Sequence, residues 1–198
     1  MDWVKHLRLV WSVPMLKTLF AVILLAALSP AQTASRSAQP AWRTKLAEAM
    51  PLLGHRNWIL VVDSAYPLQI SPGVETIDTN ASQIDVVRIV LGAIERAPQI
   101  RPVVFMDAEL PFVTDEDAPG VTTYRTEVMP LLEDYPLEQK PHEKIIADID
   151  EAGKTFQVLV LKTNMTIPYT SVFIRLDCKY WTADQEKALR NKMAASSK

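Results

Sequence analysis

Two stretches of this chain, Trp58–Val62 and Pro102–Met106, are apolar without a break and too short for helices of ordinary length. That pattern narrows the fold more than any other feature, because a strand that carries apolar residues on both alternating sides must be covered on both faces, as in a parallel sheet packed between helices. Helical spacing surrounds these runs. Trp42, Leu46, Met50 and Leu53 recur at that spacing and predict a short helix with Gly54 as its C-cap. Ile84, Val87, Val90, Leu91 and Ile94 predict a second helix over 82–97, stopped by Pro98, and 122–133 reads as a third. Ile145, Ile146 and Ile149 mark an amphipathic element over 143–151 that ends at Gly153 and leads into a strand over 156–161. A final strand over 171–176 precedes a polar helical tail, 182–198. Strands alternating with helices define an α/β class with a mostly parallel sheet flanked by helices.

The amino terminus has a different character. Lys5, Arg8 and Lys17 precede the apolar run Leu19–Leu28, which spans ten residues and is followed by Ser29-Pro30-Ala31. A bilayer-crossing helix needs about 20 apolar residues, whereas a secretory signal needs about 7–15 and then small residues at the cleavage point. Residues 1–31 are therefore expected to be a signal peptide, 32–41 a flexible leader, and 42–181 the folded domain. The expected product is exported, periplasmic or secreted, with no stable membrane insertion after cleavage. One cysteine, Cys178, cannot form an internal disulfide, so packing must hold the domain together. The net charge of −2 becomes more negative once the basic signal is removed, which argues against a nucleic-acid partner.

Most common chemistries are missing from the sequence. Five glycines leave no dinucleotide-binding or P-loop pattern, so no nucleotide cofactor is expected, and there is no Gly-x-Ser-x-Gly hydrolase elbow. Beyond the signal only His55 and His142 remain, and neither has a partner at metal-site spacing. What stands out is the segment from Leu53 to Pro67. It sets an imidazole, His55, before a buried strand and a carboxylate, Asp63, just after it. In open α/β sheets the ligand crevice lies beyond the carboxyl ends of the strands, where Asp63 falls. His55 lies at the other end, roughly 20 Å away at about 3.3 Å per strand residue. If both act on one small substrate, either two subunits share the site or the chain folds back near His55.

Leu53-Gly54-His55, the apolar residues Ile59 to Val62, Asp63, and Pro67 four residues on together resemble the N-terminal signature of the ribose pyranase and fucose mutarotase family (RbsD/FucU). Tyr169-Thr170-Ser171 before an apolar strand resembles that family's Tyr-x-Asn, with serine in place of the asparagine. The resemblance implies a cofactor-independent, metal-free sugar isomerase, a mutarotase or pyranase acting on a monosaccharide. His55 matches the proton donor, and Asp63, Tyr169 and Ser171 match the groups that hold the sugar. It also implies a homo-oligomeric ring, often a decamer, with sites between subunits. The family's histidine or aromatic sugar contact falls at Ile149 in this reading. The alternatives are a non-catalytic binder of a sugar or other small polar ligand, and a structural oligomer that kept the fold.

Overall fold

The structure, a computed structural model, describes residues 40–196. The expected signal and nearly all of the leader lie outside the described residues. The elements are α1 (Ala41–Ala49), β1 (Trp58–Val62), β2 (Val74–Asp78), α2 (Gln83–Arg96), β3 (Ile100–Asp107), α3 (Val121–Leu132), β4 (Leu137–Lys140), α4 (His142–Ala152), β5 (Val158–Lys162), β6 (Val172–Cys178) and α5 (Ala183–Ser196). A single 3-10 turn, Leu110–Phe112, follows β3.

The six strands form one sheet in the order β2-β5-β1-β6-β3-β4. β1 and β2 run parallel to β5, and β3 runs parallel to β4, while β6 is antiparallel to both of its neighbours, β1 and β3. The sheet is thus mostly parallel with one reversed central strand. Both faces are covered. Ile59, Val61, Val104, Met106, Ile174 and Leu176 point toward α1, α2 and α3, and the alternate residues Leu60, Phe105, Val160 and Phe173 point toward α4. Every residue of β1 is buried, as its unbroken apolar run requires.

Two elements have no apolar signal in the sequence. β2 and β4 are the sheet's edges, and most of their side chains are exposed or half-buried, so they contain no continuous apolar run. The first helix is also shorter than its spacing suggests. It ends at Ala49 with Met50 as its cap, because Pro51 cannot continue an α-helix, and Met50 and Leu53 reach the core from the turn that follows. α2 begins at Ser82, whose hydroxyl accepts from the Asp85 amide. It ends at Ala97, held extended by the following Pro98. α5 buries no residue, in keeping with its polar sequence, and no helix among the described residues is long and apolar enough to cross a membrane.

The turn from α4 into β5 packs closely against the start of β2. A Cβ at Gly73 would meet the Phe156 carbonyl oxygen at 2.3 Å and that of Gly153 at 2.7 Å, and the Gly73 amide donates to the Gly153 carbonyl at 3.0 Å. Backbone on both sides leaves no flexible side chain to yield. Gly73→Ala is therefore expected to lower stability by about 1–3 kcal/mol in urea denaturation. A change within a few tenths would show that this approach is looser than described.

Candidate active site

Because every chain direction except that of β6 is shared, the carboxyl ends of β1, β3, β4 and β5 meet the amino end of β6 along one edge of the sheet. Asp63 leaves β1 there, Asp107 is the last residue of β3, Ser171 immediately precedes β6, and His142 opens α4 directly after β4. Asp63 and His142 line an open cavity of about 610 Å³ together with Tyr66, Glu143, Ile146 and Tyr169, among others, while the buried Ser171 and Asp107 lie outside its lining and are joined to it through their bonds to Asp63 and His142.

Four side chains of this edge form two linked pairs. The Ser171 hydroxyl donates to Asp63 Oδ2 at 3.2 Å, and Asp63 Oδ1 accepts the Ala65 amide at 2.8 Å, which fixes the carboxylate at the mouth of the turn. His142 Nδ1 lies 3.1 Å from Asp107 Oδ1, and the His142 amide donates to both oxygens of Glu109 at 3.1 Å. A carboxylate on Nδ1 selects the tautomer that carries its proton there and leaves Nε2 free to exchange a proton with a ligand. Tyr169 stands edge-on to that imidazole, with ring centroids 5.7 Å apart.

Tyr169 has a left-handed backbone, φ 59°, which costs energy in a bulky non-glycine residue. A buried hydrogen-bond web maintains it. Gln83 Nε2 donates to Tyr124 Oη at 3.2 Å and to the Thr170 carbonyl, while Thr163 Oγ1 donates to Gln83 Oε1 at 2.9 Å. The Thr170 hydroxyl closes the turn onto the Ile167 carbonyl at 2.7 Å. α2, α3 and Thr163, the residue after β5, thereby hold the loop that presents Tyr169 and Ser171.

Asp107 is fully buried, and its second oxygen, Oδ2, has no partner. Burial pushes its carboxyl from 3.8 to about 6, with the His142 hydrogen bond pulling in the other direction. Tyr66, on the loop after β1, is also buried with an unpartnered hydroxyl. Burial, then the charges of Asp150, Asp107 and Asp63, raise its pKa above the ordinary phenol value. Tyr66 and His142 line the cavity, whereas Asp107 lies outside its lining and is joined to it through the His142 ring.

His55 sits at the opposite edge, before β1. Its Nδ1 is 3.0 Å from Asp177 Oδ1, and Arg101 grips Asp177 Oδ2 through Nε at 3.0 Å and Nη2 at 2.6 Å. Burial would raise the Asp177 carboxyl, but Arg101 and the Cys178 amide outweigh it and hold it below the ordinary range. The His55 side chain is 55% exposed, and the next residue, Arg56, has φ 75°. Asp63, Tyr169 and Ser171 thus come together within one chain, whereas His55 does not join them. His142 and Asp107 were not singled out from sequence. Ile149, where the resemblance set a sugar contact, is a fully buried residue facing the sheet, and the imidazole near the cavity is two helical turns earlier, at His142. Asp107 was accessible to the rule that picked out Asp63, since it too ends a buried apolar run. Among the described residues no cluster of three or more His, Cys, Asp or Glu groups could hold a metal ion.

An open α/β sheet with a cavity bearing a carboxylate and an imidazole at its carboxyl edge is the class of protein these features define. No protein-family model matches the chain, and no curated protein matches it. Its structure is similar to that of Bacillus subtilis RbsD complexed with D-ribose, at 16% identity over 67% of this chain and 90% of that one, with a TM-score of 0.49. It is also similar to FucU from Bifidobacterium longum, at 12% identity over 67% and 92% of the two chains, TM-score 0.45. A third similar structure is the fucose mutarotase in complex with L-fucose from Streptococcus pneumoniae, at 15% identity over 66% and 89%, TM-score 0.43.

Asp107 binds its proton more tightly in the folded chain than in the unfolded one, since its carboxyl is raised from 3.8 to about 6. Its contribution to stability is therefore present in full below the unfolded value and is lost as pH rises through the folded one. Asp107→Asn should flatten the stability profile between those two values. Above about pH 7 it should leave the chain more stable than wild type, by on the order of 1–3 kcal/mol. Urea melts across that range test this; an unchanged profile would remove Asp107 as the group responsible.

Proposed function

We propose that this protein is a cofactor-independent monosaccharide isomerase, interconverting anomers or pyranose and furanose forms, at a site shared between copies of the chain. The observation that carries the reading is the cavity at the carboxyl edge of the sheet. Asp63 and Tyr169, two of the positions that resemble sugar-holding residues, line it beside His142, with the third, Ser171, bonded to Asp63 and Asp107 bonded to His142 from outside the lining. Ring opening needs one proton delivered to the ring oxygen and one removed from the anomeric hydroxyl, which two imidazoles near neutral pH can provide.

In this reading Asp63 holds sugar hydroxyls with Ser171 fixing its carboxylate, Tyr169 packs against the ring, and His142 with its free Nε2 exchanges one proton. His55 is the proton donor and comes from an adjoining copy, because within one chain it lies at the far end of β1. Asp177 orients it from Nδ1, as Asp107 orients His142. The assembly is then a homo-oligomer in which the His55 edge of one copy meets the cavity edge of the next. Export is part of the proposal, with the mature chain starting near residue 32 and meeting sugars outside the cytoplasm.

Saturation-exchange NMR on a panel of aldoses should show faster anomer or ring-form exchange with catalytic amounts of protein. His55→Ala should reduce the effect by about 10²–10⁴-fold without loss of the fold. No acceleration across the panel would overturn the isomerase reading, and ligand-induced stabilisation without exchange would leave a sugar binder. Sharing of the site has its own test. His55→Ala and Asp63→Asn chains, each inactive alone, should regain partial activity when co-assembled, since some interfaces then pair an intact His55 with an intact Asp63. Mixtures as inactive as the parents would place the whole reaction within one chain.

A further inference from the structure

Three arginines face one groove between α1 and α2, on the side of the sheet away from α4. Arg88 and Arg96 are two turns apart on the same face of α2, with Gly92 between them, and Arg43 stands opposite in the first turn of α1. They line a hollow of about 390 Å³ whose other lining residues are Leu46, Ala47, Ile89, Gly92 and Ala93, so no carboxylate lines it. Arg88 Nη1 is neutralised by Asp85 at 2.9 Å on the outer side. Arg43 and Arg96 form no ion pair among the described residues, and Arg43 Nε is buried without a hydrogen-bond partner.

Three features of the surroundings shape this concentration of charge. α1 opens without a side-chain cap and carries no acid in its first turn, so the positive helix terminus adds to the charge on Arg43. Gly92 lets Arg96 fold back over α2, for a Cβ there would meet Arg96 Nη1 at 3.3 Å. Arg43 Nε is buried without a hydrogen-bond partner among the described residues, and its guanidinium lies over the Trp42 ring at 5.4 Å from the centroid. A bound anion offsets the charge that Arg43, Arg96 and the helix terminus bring together. Guanidinium forks match the oxygens of a phosphoryl group in pairs, and a dianion suits several converging cations better than a single carboxylate does. The hollow adjoins a second of about 600 Å³, which shares Ala47, Ala93 and Arg96 and continues past Met50, Pro51 and Pro98. The groove thus has a basic end and a largely apolar end.

We infer that this groove binds a phosphate-bearing ligand, its phosphoryl group held by Arg43, Arg88 and Arg96 and its less polar part lying toward Met50 and Pro98. The phosphate could belong to a soluble ester or to a phospholipid headgroup, and the experiment separates the two sources. In the first arm, thermal melts of the full chain are recorded with inorganic phosphate and with chloride at matched ionic strength. In the second, the chain is co-sedimented with phosphatidylglycerol vesicles and with phosphatidylcholine vesicles. Both arms are repeated on Arg43→Gln/Arg96→Gln, which leaves the Asp85–Arg88 pair intact, and on each single variant in case the double variant melts differently in chloride.

The expected result is stabilisation by phosphate beyond chloride, with apparent affinity for phosphate or for anionic vesicles weakened about tenfold or more in the double variant. Phosphate stabilisation alone identifies a soluble ester; preferential sedimentation with phosphatidylglycerol identifies the headgroup. The inference is overturned if wild type responds to neither probe, or if the variants respond as wild type does. Because the groove lies on the opposite side of the sheet from α4 and away from the His142 cavity, sugar exchange has no part in this test.

Discussion

Burial of the central strands on both faces is the constraint from which the rest of this structure follows. β1 has no exposed residue, and β5 and the first half of β6 have almost none. A polar side chain placed along these strands would lose water without gaining a partner, at a cost of about 1–3 kcal/mol or more, while each apolar side chain buried there contributes a similar amount in the other direction. Reactive groups are thereby confined to strand ends. The reversal of β6 then populates both ends of the sheet. Its first flanking residue, Ser171, reaches Asp63 at one edge, and its penultimate residue, Asp177, reaches His55 at the other. One strand, running against its neighbours, supports both polar clusters.

That constraint also decides what could be read from sequence. Both-face burial leaves unbroken apolar runs, so β1 and β3 were legible, and the helices over them revealed themselves through spacing along Val87, Leu91 and Ile94 or Ile145 and Ile149. Edge strands obey no such rule. Val74–Asp78 and Leu137–Lys140 are held by backbone pairing to β5 and β3, and their side chains meet water, so composition is silent about them. Strand direction is likewise unwritten, because an apolar run reads the same whether it lies parallel or antiparallel. The site divides along the same line. Asp63 was found by its place after a buried strand, but the His142–Asp107 pair joins residues 35 apart through the sheet order, and no local pattern records it. Pro51 shows the opposite case, a local signal overridden in the reading by a longer periodicity.

The cavity edge is where the fold gives up stability. Tyr169 sits at a left-handed φ, Asp107 is buried with one oxygen unpaired, and the Tyr66 hydroxyl has no partner. Each is unfavourable by itself, and each is tolerated because surrounding structure over-determines it. The Gln83, Tyr124 and Thr163 web fixes the Tyr169 loop. Lys162 Nζ donates to the Tyr66 carbonyl at 2.8 Å, and Gln69 Nε2 donates to Asp150 at 2.8 Å, tying the loop after β1 to β5 and α4. Strain and unpaired polar atoms held in a rigid frame mark this edge as the part of the fold where local stability is not optimised.

The two imidazole–carboxylate pairs lie at opposite ends of one strand system, and that geometry restricts how copies could cooperate. If both act on one molecule, the contact must join unlike surfaces, the His55 edge of one copy to the cavity edge of another. A two-fold dimer does this only where its interface runs the length of the sheet, so that each copy's His55 edge meets the other's cavity edge across the axis. A contact confined to one edge of each copy is instead head-to-tail, and it closes into a ring only where the rotation allows and otherwise continues as a filament. The exposed apolar side chains fit such a contact. Leu52 and Tyr180 stand at the His55 edge, 85% and 74% exposed, and Phe112 stands at the cavity edge, 82% exposed. Side chains of that size left in water at both ends of a monomer cost least when one end covers the other. Catalysis and assembly would then be decided by the same surfaces, with the sheet acting as a rigid spacer that keeps each chain from completing a site alone.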